Sequence, residues 1–151
     1  MLEPLSYRVE VPCNQKKAFE VFSEMATWWP LDKRAMSLYE TGNPARTITV
    51  DARKGGRIVE IGADDSEHHW GTFTAFDPHD YLAMDFHMGL PAEQTGTVEV
   101  KFTPMDDART LVELVHSNWE GYGDMAEMMI KGYGSSWHML FEECYKAACE
   151  G

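Results

Sequence analysis

Asp124-Met-Ala-Glu-Met-Met-Ile-Lys-Gly-Tyr-Gly-Ser-Ser-Trp-His-Met-Leu-Phe-Glu-Glu-Cys-Tyr-Lys-Ala-Ala148 is the stretch on which the fold of this chain turns. Met125, Met128, Met129, Tyr133, Trp137, Leu140, Phe141, Cys144 and Ala148 recur at three- and four-residue steps, which lays one apolar stripe along a helix. The spacing predicts a helix over residues 122–148. Asp124 and Glu127 read as a capping box at its start. Gly132 and Gly134 fall inside the stripe at ~1 kcal/mol each relative to Ala, and read as close approach to a strand or a mild kink.

Upstream of this helix the hydrophobic period drops to two. Arg46–Ala52, Arg57–Gly62, His69–Phe76, Tyr81–Met88, Thr97–Thr103 and Arg109–Ser117 alternate as strands do. Lys54-Gly55-Gly56, Asp64-Asp65-Ser66-Glu67, Asp77-Pro78 and Asp106-Asp107 turn the chain between them. Such short turns pair neighbouring strands antiparallel. Leu5–Val11 reads as a first strand, and Asn14 as the N-cap of a short helix carrying Ala18, Phe19, Val21, Phe22 and Met25. Trp28-Trp29-Pro30 ends that helix, and residues 31–44 read as a polar connection. The order is strand, helix, six strands, long helix. The expected class is α+β, in one domain spanning residues 1–151. A curved antiparallel sheet of about seven strands wraps the C-terminal helix, the only element able to cover its concave face.

The chain has 151 residues and a formal charge of −12, from 25 acidic against 13 basic residues. That surface repels phosphate backbones and anionic lipid, so neither nucleic acid nor membrane is expected as a partner. No stretch approaches the ~20 apolar residues of a membrane helix. The N-terminus lacks the basic segment and apolar run of a signal peptide. Cys13, Cys144 and Cys149 are an odd set without metal-type spacing, which points to reduced thiols and a cytoplasmic location. Cys144 lies on the stripe as a small hydrophobe, whereas Cys149 is expected at a fraying end, open to oxidation.

Several local patterns resemble the START-like, helix-grip superfamily (SRPBCC), and within it the branch named after the activator of heat-shock-protein-90 ATPase. Pro12 to Phe22 resembles its opening turn and helix, and Trp28-Trp29-Pro30 its aromatic pair. Asp51-Ala-Arg-Lys-Gly-Gly56 resembles a "D-x-R-x-G-G" strand and turn. Trp70-Gly-Thr-Phe-Thr-Ala-Phe-Asp-Pro78 resembles a strand running into a Pro turn. Thr110-x-Val-x-Leu-x-His116 resembles the strand before the last helix. Ser136-Trp137 with Phe141 and Cys144 resembles the closing "G-W-x-x-x-L-x-x-L", with Ser136 in the Gly position and Phe141 and Cys144 in the Leu positions. The resemblance spans essentially the whole chain. It implies a helix-grip, birch-pollen-allergen-like fold and, as in many members, a cavity between sheet and helix.

In such a cavity the strands would contribute Phe73, Met84, Phe86, Val112, Leu114 and His116. The helix would contribute Met125, Met129, Tyr133 and Trp137, with Trp28 and Trp29 near an opening. The expected partner is a small, largely apolar molecule; a homodimer stays open. Burial in a filled core is the alternative for each of these residues. His116 shares strand parity with Val112 and Leu114 and so points inward, able to anchor a ligand or act as acid–base in an enzyme on the same scaffold. An interaction module acting on a chaperone is a further class, taken from the branch name. His68 and His69 point to opposite faces, and no His pair has metalloprotease spacing, so no metal or cofactor is expected.

Overall fold

The computed structural model describes residues 2–88 and 90–150. Seven strands form one antiparallel sheet, β1 (Leu5–Val11), β2 (Thr47–Val50), β3 (Arg57–Ile61), β4 (Glu67–Asp77), β5 (Tyr81–Phe86), β6 (Gly96–Asp106) and β7 (Arg109–Ser117). Their order across the sheet is β1-β7-β6-β5-β4-β3-β2. Every strand from β2 to β7 thus lies beside its sequence neighbours, as the short turns require. β1 closes on β7, with Leu5 opposite His116 and Tyr7 opposite Leu114.

Between β1 and β2 the chain forms α1 (Gln15–Ser23) and α2 (Met36–Thr41). Asn14 caps α1 as its sequence implies, its side-chain oxygen accepting from the Lys17 N–H at 2.9 Å. Helix α2 corrects the expectation of a polar connection over residues 31–44. Its N-cap, Ala35, has no side-chain acceptor to offer. The capping instead comes across the fold from β3. Glu60 Oε1 accepts from the Met36 N–H and Glu60 Oε2 from the Ser37 N–H, both at 2.7 Å. Gly42 then ends α2 at φ 80°, a left-handed turn that glycine enters without penalty.

After β7 the chain runs through a tight helical segment, Trp119–Met125, into α3 (Ala126–Trp137), a π-helical stretch His138–Tyr145 and α4 (Lys146–Glu150). The predicted capping box does not form. Asp124 lies within the tight segment, Gly123 breaks helical geometry at φ 64°, and α3 begins with no side-chain cap. The expected stripe also needs correcting beyond Trp137. Phe141, Tyr145 and Cys149 are fully buried, while Cys144 and Ala148 are only half-buried. A series at four-residue spacing drifts about 40° per step around a regular α-helix. The i→i+5 turns of the π stretch hold more residues per turn and keep Trp137, Phe141, Tyr145 and Cys149 facing the sheet. Cys149 is therefore not a frayed thiol; it packs in the core at 1% exposure.

The interior is unusually aromatic. Phe22, Trp28, Phe141 and Tyr145 interlock beneath α1, with the Phe141 and Tyr145 rings stacked at 5.6 Å. The Tyr145 hydroxyl donates to the Ala18 carbonyl at 2.7 Å, which ties the C-terminal helix to α1. Beside this cluster, Trp29, Trp70, Phe86 and Trp137 form a second one.

Candidate functional site

His116 lies inside the fold, as its strand parity requires, and is fully buried. Trp137 Nε1–H donates to its Nδ1 at 3.1 Å. That nitrogen is therefore an acceptor, and the ring proton sits on Nε2. Nε2–H faces the Tyr122 hydroxyl oxygen at 2.8 Å, and the Tyr122 O–H donates in turn to the Phe86 carbonyl at 2.6 Å. Trp119 stacks on the imidazole at 4.1 Å. Gly96 makes room for this relay, because a Cβ there would meet the Tyr122 ring at 2.5 Å. Burial alone lowers the His116 pKa from 6.5 to about 3. The residue is a neutral tie between β7, β5 and the C-terminal helix. Both ring nitrogens are engaged, so the arrangement offers no free nitrogen for ligand anchoring or acid–base work.

Phe73, Met84, Phe86, Val112, Leu114, Trp137 and Trp28 are likewise buried in the packed core. None of them lines either of the two clefts described below. Met125 is half-buried against the same core. Between sheet and helix the rings of Phe86, His116, Tyr133 and Trp137 pack against one another. A cleft of about 460 Å³ lies beside them, with Trp29, Met129 and Tyr133 among its lining residues.

Three elements build this cleft. Helix α2 and the turn before it bring Arg34, Met36 and Tyr39; the segment after β5 brings His87, Met88 and Leu90; α3 and the π stretch bring Met128, Met129, Gly132, Tyr133, Ser136 and Leu140. Tyr39 is 58% and Met128 65% exposed. Among the described residues they are two of the three large hydrophobic side chains that stand out into solvent, and both line this cleft. Among the described residues the Tyr133 hydroxyl has only a weak acceptor, Met88 Sδ at 3.8 Å. Burial raises the Tyr133 pKa well above its usual value, so the hydroxyl stays a neutral donor.

The wall formed by α2 is set by Glu60. This carboxylate is fully buried, and besides capping α2 it accepts from Trp70 Nε1 at 2.9 Å. Beside it the β3–β4 register shifts between Ile58 and Val59, where Trp70 is the extra residue of β4. Three donors, the Met36 and Ser37 N–H groups of α2 and Trp70 Nε1, make its burial tolerable. Arg34, Met36, Tyr39, Met88, Leu90 and Leu140 were not legible as site residues. The one local signal for α2 was Gly42, six residues after Met36, in a helix-ending position.

A second groove, of about 540 Å³, lies between α1, β2 and the β4–β5 turn. It opens broadly to solvent, and the exposed charges of Lys16, Glu20 and Glu24 stand along it. None of the residues expected at a ligand site lies there, and the methionine-rich cleft is the better candidate despite its smaller volume. Among the described residues, no group of three or more His, Cys, Asp or Glu side chains could hold a metal, and no helix is long and apolar enough to cross a membrane.

A curved seven-stranded antiparallel sheet gripping a long C-terminal helix defines a helix-grip (START-like) α+β protein. Within that class, the chain belongs to the family described as Activator of Hsp90 ATPase homolog 1-like protein, whose model matches residues 14–144. A search of curated proteins finds no match. Solved structures with the same fold include the anthrahydroquino-γ-pyrone synthase Txn09, at 27% identity over 87% of each chain with a TM-score of 0.62. The self-sacrificing resistance protein CalC from Micromonospora echinospora is similar over 97% of this chain and 94% of its own, at 21% identity and a TM-score of 0.70. An HSP90 activator from Plasmodium falciparum matches at 18% identity over 87% and 88%, with a TM-score of 0.59.

Proposed function

We propose that this protein binds a small, largely apolar molecule in the cleft between α2, the segment after β5 and the C-terminal helix. The observation that carries the reading is the cleft itself. At about 460 Å³ it has the size of a single small-molecule site. Its walls are Trp29, Tyr133, Leu90, Leu140 and four methionines, Met36, Met88, Met128 and Met129. Flexible thioethers adapt to an apolar occupant and pack well against aromatic rings. A bound molecule would also cover Tyr39 and Met128. One structural neighbour is a synthase named for an anthrahydroquino-γ-pyrone, which supports a small-molecule occupant.

The test is thermal shift with a broad panel of small apolar and aromatic compounds, combined with native mass spectrometry of freshly purified protein. A ligand at a hundredfold excess over its Kd adds ~2.7 kcal/mol to the native state. Gly132→Leu, which puts a side chain into the lining of the cleft, should abolish the shift while the protein stays folded. No shift from any compound, or a shift that Gly132→Leu leaves intact, defeats the reading. Binding to an Hsp90 without any small-molecule shift would favour the protein-partner class instead.

A further inference from the structure

The cleft carries positive charge in a strongly acidic protein. The whole chain has 25 Asp and Glu against 13 Lys and Arg. Yet Arg34 lines the cleft, and no Asp or Glu does. Arg34 is half-buried; its Nε donates to Ser136 Oγ and its Nη1 to the Lys33 carbonyl, both at 3.0 Å. Among the described residues no carboxylate lies within 4.0 Å of it, whereas Arg46, Arg53 and Arg109 each pair with an aspartate or glutamate. A guanidinium has five N–H donors, so most of its capacity is unspent. Its backbone is held in place, because Trp29 Nε1 donates to the Arg34 carbonyl at 2.7 Å. The Tyr133 hydroxyl adds another donor whose only partner among the described residues is a sulfur. The polar groups of the cleft thus ask for an acceptor, and its walls of Trp29, Tyr133 and methionine ask for a flat apolar body.

We infer that the occupant is an aromatic or similarly planar apolar molecule bearing one anionic group, a carboxylate, phenolate or sulfonate, and that Arg34 receives this group. The inference rests on the small-molecule reading above and specifies its ligand class. The anion takes the unspent guanidinium N–H groups in a partly buried setting, where charge-assisted hydrogen bonds are strong. The net charge of −12 opposes the approach of any anion. A preference for an anionic ligand must therefore come from the cleft and not from the general field.

A matched pair of fluorescent probes tests this. Anilinonaphthalene sulfonate and phenylnaphthylamine share the same aromatic body and differ in the sulfonate. The wild-type protein should bind the sulfonate about tenfold more tightly than its neutral partner, the scale of one charge-assisted bond. Arg34→Met should remove or invert that preference while leaving the neutral probe's affinity within about twofold. Arg34→Lys, which keeps the charge, should retain part of it, and Lys33→Met should change nothing. Circular dichroism and melting temperature of each variant show that the fold persists. Equal binding of both probes by the wild type, or an Arg34→Met variant that weakens both alike, overturns the anion inference and leaves apolar binding standing. If neither probe binds, the small-molecule reading itself fails.

Discussion

Glu60→Gln is the most direct probe of how the cleft is held open. In the native structure Glu60 Oε1 accepts from the Met36 N–H and Trp70 Nε1, and Oε2 accepts from the Ser37 N–H. The carboxamide has the same shape but one acceptor end. It can keep both bonds at the Oε1 position only by turning its NH2 towards the Ser37 N–H, donor against donor. One charge-assisted bond, worth ~1.5–3 kcal/mol, is lost, and the two that remain fall towards the neutral value of ~1 kcal/mol each. Relief from burying a charge offsets part of this. The net cost is about 2 kcal/mol, or roughly 4–8 °C in melting temperature for a domain of this size. Thermal unfolding followed by tryptophan fluorescence reads the global term. Amide hydrogen exchange reads the local one, and the Met36 and Ser37 amides should exchange first. Since α2 carries Met36 and Tyr39, any cleft ligand should also bind less tightly. A variant that melts within about 1 °C of wild type, with unchanged exchange at Met36 and Ser37, would refute the idea that Glu60 holds this wall.

His116→Phe should cost ~1–3 kcal/mol, because it strands the buried Trp137 N–H, and should leave cleft affinity within about twofold. Since burial holds the native His116 pKa at about 3 while the unfolded chain titrates at 6.5, its contribution is complete above pH 6.5 and drains as pH falls towards about 3. Denaturant titrations from pH 7 to ~4 should show wild type losing up to ~1.4 kcal/mol per pH unit more than His116→Phe, and parallel curves would contradict the assignment. Alkylation of the native protein with iodoacetamide should label half-buried Cys144 first and reach Cys13 and Cys149 only on unfolding, as read by peptide mass spectrometry. Gly132→Ala should stabilise the protein by ~1 kcal/mol, because the added Cβ meets nothing within 4 Å and the helix gains a better former; a destabilised variant would show that the space is not free.

Alternation and helical stripe made the sheet and the long helix legible, because burial on one face leaves a period in the sequence. Legibility stopped where a feature depends on a partner distant in the chain. Helix α2 was hidden because its N-terminal cap, Glu60, lies 24 residues beyond Met36, and no local rule connects them. The displacement of the stripe from Cys144 to Tyr145 was hidden because the π stretch changes the number of residues per turn, which a fixed period does not anticipate. Inward direction was read correctly for His116, but its partners Tyr122 and Trp137 come from beyond its own strand, so its role as a satisfied tie was not.

The displacement of the candidate site has the same origin. Strand parity and helix phase predict which side chains enter the interior, and Phe73, Met84, Phe86, Val112 and Leu114 do enter it. A cavity, however, is the volume that side chains fail to fill, and that is a difference between large quantities that periodicity does not measure. Trp29, Trp70, Trp119, Tyr122 and Trp137 are all buried in that interior. The cleft lies where the C-terminal helix presents small residues, Gly132 and Ser136, towards a wall whose one local sequence signal is Gly42. The cleft therefore sits beside Arg34, a residue that a polar connection would have left in solvent and that α2 folds against the helix instead. That placement turns an apolar mouth into one with a charge, which is why the ligand's anionic group, rather than its apolar bulk, is the feature of recognition most open to experiment.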